Sequence, residues 1–277
     1  PLYLMLMPLV NQTIVAVKNY SIPSRFLRRD VRVDFFIPCI AGKQNEMSLL
    51  LINDGQDMEA LGLADLLSQL YRQNDIGPVL CVGIHCGEDR RNEYGTAGIK
   101  DYKGRGAKAG LYTHFVLEEL LPFVSAETGV TVFQEKSFAG FSLGGLSALD
   151  IVWNHPEAFV KAGIFSGSLW WRTRALDAGY VEATDRIMHA QIRKKGYYPW
   201  LKFFFETGTL DETEDRNNNG IIDSIDDTIG LIKELERKGY KRHSDIEYLE
   251  LKDGRHDVAT WAKAMPVFLK WGWGKTI

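Results

Sequence analysis

Short apolar runs and amphipathic stretches take turns along nearly the whole chain. Runs rich in β-branched and aromatic residues mark eight strands, at 13–17, 31–37, 49–52, 79–84, 137–141, 161–165, 202–206 and 246–251. Several are apolar throughout, the pattern of strands covered on both faces. Between most of them, apolar positions recur with the period of a helix, at about 59–72, 112–126, 143–154, 185–195, 224–237 and 258–270. Strands alternating with helices imply right-handed crossovers, hence an α/β, mainly parallel, doubly wound sheet with helices on both faces. The first two strands are joined by a short polar link without a helix, which predicts an antiparallel start. No repeat or linker divides the chain, so 1–277 reads as one domain, with a small lid at about 167–200.

Composition narrows the function without naming it. The 277 residues carry 33 Lys+Arg against 36 Asp+Glu, and 45% are hydrophobic. That is enough chain and apolar surface for a continuous core, which excludes disorder and disulfide-stapled miniature folds. The slightly acidic balance gives no electrostatic footprint for nucleic acid or anionic lipid. Cys39, Cys81 and Cys86 form neither a disulfide framework nor a zinc spacing, which leans towards a reducing compartment. The apolar opening at 2–7 is too short to span a membrane, which takes ~20 residues. The chain opens on Pro1 rather than Met, so a removed leader, and with it the location, stays open. Nothing sets the oligomeric state. Function must come from a site, and in open α/β sheets sites form at the carboxyl ends of the strands.

Gly140-Phe141-Ser142-Leu143-Gly144 is a G-x-S-x-G pentapeptide. Alone it is a weak signal, but here a strand enters it and a helix leaves it. That context makes a nucleophile elbow, a sharp turn that strains the serine backbone and exposes its hydroxyl. The Leu143 amide, at the helix N-terminus, then points at a developing oxyanion. A plain N-cap serine is the bland alternative. Serine needs a base, and the chain order Ser, then Asp or Glu, then His selects His256, in the loop after the last strand. His85 also follows a strand but precedes the serine. Asp211 is the first carboxylate beyond the seventh strand and is the candidate acid; Glu206, Glu212 and Asp215 lie near enough to compete. Eight strands, an antiparallel start and this elbow together outline an α/β-hydrolase.

With those residues in place, the chain resembles the putative esterase family, in its esterase D and enterochelin-esterase-like branch. The likeness is carried by Ser24-Arg25-Phe26-Leu27-Arg28-Arg29 before a strand ending in Pro38, and by Asn53-Asp54-Gly55-Gln56 in the oxyanion-loop position. Arg90-Arg91-Asn92-Glu93-Tyr94 resembles an R-x-x-E-Y stretch, and Glu119-Leu120-Leu121-Pro122 a helix end. His155-Pro156-Glu157-Ala158-Phe159 and Ser166-Gly167-Ser168-Leu169-Trp170-Trp171 follow in order. The resemblance implies a carboxylic ester hydrolase with Ser142, Asp211 and His256 at the catalytic positions and Leu143 and Gln56 amides as the oxyanion hole. It disfavours formylglutathione hydrolysis, because the oxyanion loop differs. An acyltransferase using the same residues, or a binding module that keeps the hydrolase shell, are the alternatives.

Candidate substrate contacts are Arg91, Tyr94, Trp170 and Trp171, for a small-molecule ester: an acyl sugar, an aryl ester or a siderophore-type ester. Aromatics at 197, 198 and 200 suit stacking on such a ligand, or packing of the lid on the body. No organic cofactor is implied. A calcium ion is: residues 215–226 follow the D-x-[DN]-x-[DN]-G pattern over twelve positions. The ligands would be Asp215, Asn217, Asn219, the Ile221 carbonyl, Asp223 and Asp226, in a structural role beside Asp211. Asp rather than Glu at the twelfth position, and a strand rather than a helix leading in, depart from an EF-hand.

Overall fold

The computed structural model describes residues 14–40 and 46–275. The apolar opening at 2–7, and the first residue of the expected strand 13–17, lie outside them. Eight strands form one sheet in the order β1-β2-β4-β3-β5-β6-β7-β8. They are β1 (Val15–Ser24), β2 (Arg29–Pro38), β3 (Ser48–Asn53), β4 (Val79–Ile84), β5 (Lys136–Phe141), β6 (Lys161–Phe165), β7 (Lys202–Leu210) and β8 (Ile246–Arg255). β1 pairs antiparallel with β2, and β2 with β4; every later pairing is parallel. β3 and β4 are buried along their whole length, which is why their sequences are apolar without alternation.

The helices are α1 (Met58–Leu61), α2 (Leu63–Arg72), α3 (Arg90–Glu93), α4 (Ala109–His114), α5 (Leu121–Thr128), α6 (Leu143–Asn154), α7 (Glu182–Asp185), α8 (Ile187–Lys194), α9 (Asp223–Lys238) and α10 (Val258–Trp273). Two cores lie on opposite faces of the sheet. One gathers Phe115, Leu146, Met188 and Leu231; the other gathers Leu67, Trp261, Met265 and Phe268. Two expected helices are interrupted. Gly62, at φ 72°, separates α1 from α2, and a widened turn over Phe115–Leu120 joins α4 to α5. Among the described residues no helix is long and apolar enough to cross a membrane, and the three cysteines are free.

The chain steps from β3 outward to β4, then returns past β3 to β5. The sheet therefore reverses its winding between β3 and β5, and a crevice opens at their carboxyl ends. The residues after β3 (Asp54–Gln56) and after β5 (Ser142) flank that crevice.

The segment between β6 and β7 is anchored to the body by a buried ionic cluster. Asp227 of α9 accepts from Arg186 Nη1 at 2.8 Å and from Arg216 Nη1 at 2.9 Å, with side-chain exposures of 1, 9 and 6%. His189 Nε2–H of α8 donates to the Asp227 carbonyl at 2.8 Å. Burial, helped by Arg186, lowers the His189 pKa to about 3 and keeps it neutral. Removing one member of such a cluster leaves buried charge without its partner, at a cost of ~3–5 kcal/mol. Asp227→Ala should lower unfolding stability by about that amount, read as a shift in the urea midpoint at unchanged slope.

Candidate active site

Ser142 sits between β5 and α6 with φ 54° and ψ −121°, a conformation that costs an L-residue ~1–3 kcal/mol. Close backbone packing holds it there. A Cβ on Gly140 would lie 2.3 Å from the Gly144 oxygen, and one on Gly145 2.9 Å from the Gly140 oxygen, so neither position tolerates a side chain. The Ser142 N–H donates to the Phe165 carbonyl at 2.8 Å, and the Ser142 carbonyl accepts from Ser168 N–H at 3.0 Å. From the other side, Asn53 Nδ2 donates to the Gly144 carbonyl at 2.8 Å, and Tyr112 holds Asn53 Oδ1 at 2.5 Å. The hydroxyl faces Ser168 Oγ at 3.4 Å.

Leu143 opens α6, so its N–H has no acceptor within the helix. Neither that N–H nor the N–H of Gln56 has a partner among the described residues. Gln56 lies in a 3₁₀ turn over Gly55–Asp57. A Cβ on Gly55 would meet Gly83 of β4 at 2.4 Å, which keeps this turn pressed against the sheet. Asp54 (φ 60°) anchors it: its carboxylate accepts two 2.7 Å bonds from Arg90, and its N–H donates to Tyr94 Oη at 3.2 Å. Gly55 and Gln56 of this turn, with His85, line a cavity of about 620 Å³. There His85 Nε2 pairs with Asp34 Oδ2 at 2.5 Å.

β7 and β8 deliver the other two candidates together. A Cβ on Gly208 would lie 2.4 Å from the Gly254 backbone, so the two strand ends touch. A bulge at Gly208–Leu210 then turns the chain so that Asp211 Oδ2 accepts from the Gly208 N–H at 3.1 Å. Asp211 Oδ1 accepts from the Ser166 hydroxyl at 3.1 Å. His256 follows β8 directly and packs edge-on against Trp261, ring centres 5.4 Å apart. Its pKa is held below the usual histidine value by burial, with Arg90 in the same direction and Asp211 opposing. Burial pushes Asp211 upward, and the Gly208 N–H, His256 and Ser166 pull it back. Asp211 and His256 thus lie within electrostatic reach. Among the described residues the imidazole makes no direct hydrogen bond to Asp211 or Ser142.

The expected substrate contacts divide. Arg91 is exposed and lines a cavity of about 810 Å³ with Arg90, Lys103 and Arg105. Trp170 is partly exposed, with the Arg105 and Arg172 guanidinium groups 5.2 and 5.8 Å from its ring centre. Tyr94 and Trp171 are fully buried and offer a ligand no surface. Tyr94 supports the turn after β3, and Trp171 fills the space left by Gly95 and Gly106. Tyr197, Tyr198 and Trp200 precede β7, at the opposite end of the sheet from Ser142. Tyr240 bonds Tyr198 there, and Trp200 Nε1 donates to the Pro156 carbonyl, so they pack the body and are remote from the site.

In the 215–226 loop, Asp215 accepts from the Asn219 and Gly220 N–H groups at 3.1 and 2.8 Å. Asn217 and Asn219 both point an amide at Asp226 Oδ2, at 2.9 and 3.3 Å. Side chains at loop positions 1, 3, 5 and 12 therefore converge. Asp223, expected as a ligand, is instead taken by Arg216, through its N–H at 3.0 Å and its guanidinium at 3.3 Å. No group of three or more His, Cys, Asp or Glu side chains is placed to hold a metal ion among the described residues.

The sheet order and helical layers define the α/β-hydrolase fold. A family model described as Putative esterase matches residues 24–271, and the chain belongs to that family. It is 22% identical over 264 residues to the uncharacterised Bacillus subtilis (strain 168) protein YjcH, covering 94% of this chain and 97% of that one. Among solved structures it is similar to the Shigella flexneri enterobactin esterase FES, with a TM-score of 0.69 and 20% identity over 92% of this chain. The match spans 58% of the Shigella protein's own length. A siderophore hydrolase, EstB of Aspergillus nidulans, matches with a TM-score of 0.67 at 16% identity, over 92% of this chain and 95% of that one. Gln56, Ser142, Asp211 and His256 had sequence signals. The Arg90–Asp54 clamp and the Ser166 contact to Asp211 had none, since their partners are 36 and 45 residues apart.

Proposed function

We propose that this esterase works through a covalent acyl-enzyme formed on Ser142. The observation that carries the reading is the strained Ser142 at the head of α6, followed directly by the unpartnered Leu143 N–H; the Gln56 N–H, in the turn after β3, is the second donor we propose. The Ser142 oxygen attacks the ester carbonyl while the His256 imidazole takes its proton. The carbonyl oxygen, now negative, is held by the two amides. Collapse breaks the bond to the alcohol, which leaves with the proton from the imidazolium; water then repeats the sequence and releases the acid. Asp211 stabilises the imidazolium. Catalytic hydrogen bonds are often long without substrate and tighten in the Michaelis complex.

The substrate we propose is an ester with an aromatic, catecholate or siderophore-type acyl group. Trp170, with two guanidinium groups near its ring, and the cationic rim at Arg91 suit an electron-rich ring bearing negative charge; two solved relatives are an enterobactin esterase and a siderophore hydrolase. Ser142→Ala should lower kcat for a soluble aryl ester by ~10⁴-fold or more, with the fold intact by circular dichroism. A rate unchanged by that substitution would remove Ser142 from the chemistry. A panel of catecholate, feruloyl and acyl-sugar esters then ranks the acyl group.

We also propose that the 215–226 loop takes a structural Ca²⁺, with Asp215, Asn217, Asn219, Asp226 and the Ile221 carbonyl as direct oxygen donors. Asp223, turned towards Arg216, fills the ninth position through water or not at all. The ion would offset repulsion among Asp211, Glu212, Glu214 and Asp215. Chelator should lower the melting temperature, and Asp215→Ala should abolish that response; calorimetry without Ca²⁺ binding at millimolar concentration would argue against the ion.

A further inference from the structure

Buried Ser166 and Glu206, with half-buried Asp211, form a cluster whose protons can be counted. Ser166 Oγ lies 3.1 Å from Asp211 Oδ1, 3.4 Å from Glu206 Oε2 and 3.0 Å from Trp261 Nε1. The indole N–H can only donate, so it occupies one lone pair of Oγ. The hydroxyl has a single proton, and two carboxyl oxygens face it. Were both carboxyls ionised, one would confront Ser166 with no proton between them. Glu206 is 1% exposed, and its Oε1 has no partner among the described residues, so an ionised Glu206 would be a buried and nearly bare charge.

A proton on Glu206 Oε2 resolves the conflict. Glu206 then donates to the second lone pair of Ser166 Oγ, and the hydroxyl turns its own proton to Asp211 Oδ1. Asp211 keeps two donors, the Ser166 O–H and the Gly208 N–H, and lies within electrostatic reach of His256, so the negative charge belongs there. The opposite arrangement would put the charge on the more deeply buried carboxyl, whose Oε1 has no partner among the described residues.

We propose that Glu206 is a positioning residue that acts as a neutral acid, committing the Ser166 hydroxyl to Asp211 and so fixing the carboxylate that serves His256. The proposal rests on the reading of Asp211 and His256 as acid and base. Burial first, and the Asp211 charge second, push the Glu206 pKa up to about 8, so its proton is retained through neutral pH. The other groups around it are Tyr248 of β8, bonded to Thr207 and Glu250 and kept neutral because burial raises its pKa, Trp261 of α10 and, beyond Asp211, His256. As pH rises through about 8, Glu206 loses its proton, both carboxylates compete for the Ser166 hydroxyl, and Asp211 loses a donor. Activity should fall along that limb.

The test is a pH profile of kcat and KM, with a soluble aryl ester, for the wild type, E206Q, S166A and the double variant. E206Q retains a neutral N–H donor towards Ser166. It should stay within about tenfold of wild type near neutral pH and lack the alkaline fall. S166A should lose ~10- to 100-fold in kcat with little change in KM, and adding E206Q to S166A should cost no more than about twofold, because the two act in series. A larger loss in E206Q near neutrality, or an alkaline limb that survives in it, would overturn the proposal. If E206Q does not fold, S166A decides: a wild-type kcat with an unchanged alkaline limb overturns it equally. Retained activity in Ser142→Ala, by contrast, would strike the acyl-enzyme reading itself.

Discussion

A single backbone bend holds the site together. At Ser142 the chain leaves β5 and enters α6 in a conformation that serine does not adopt unaided. It persists because Gly140 and Gly145 let the strand and the helix come into backbone contact, because Gly144 leaves room for Asn53 and Asp54, and because β6 and Asn53 bond the turn from both sides. The same bend sets the hydroxyl above the sheet and leaves the Leu143 N–H without a partner. The nucleophile we propose and one of its two proposed oxyanion donors are thus two consequences of one turn.

Ion pairs around that bend give it a rigid setting. Arg90 clamps Asp54, and Arg29 makes a matching two-point pair with Glu93 at 2.8 and 2.7 Å; Glu93 is 1% exposed. Both clamps tie α3 and its lead-in to the first half of the sheet, and the first holds the Gln56 turn. Across the crevice, the Gly208–Gly254 contact seats the Asp211 and His256 loops side by side. Preorganised donors cost no rearrangement when charge develops, and here the donors and acceptors belong to short loops pinned at strand ends.

How much of this was legible in the sequence depended on the range of the interaction. β4, β6 and the elbow helix α6 have the bounds that their apolar patterns predict, since each is buried and locally uniform. β1 runs on to Ser24 because its outer residues are exposed at the sheet edge, where polar side chains blur the strand pattern. β7 runs on past Glu206 because Gly208 lets β8 approach, a contact between positions 46 residues apart in the chain. Tyr94 and Trp171 carry a motif yet prove to be buried supports, since a motif marks the demand for a residue type without saying which side it faces. Asp223 shows the same limit: its spacing suits a cation, but Arg216 reaches it first. Motif and chain order were enough to nominate Ser142, Asp211 and His256. The network of Ser166 and Glu206 behind them emerges only once β6, β7 and α10 are side by side.

The central claim is that Ser142 carries the acyl group during turnover. It is tested most directly by rapid-quench intact-mass spectrometry on a slowly hydrolysed aryl ester, followed by peptide mapping. The account predicts a transient mass increase equal to the acyl group, located on the peptide containing Ser142, that decays at the steady-state rate. Turnover with no mass increase in a quench faster than kcat, or an acyl group mapped to another residue, would contradict it.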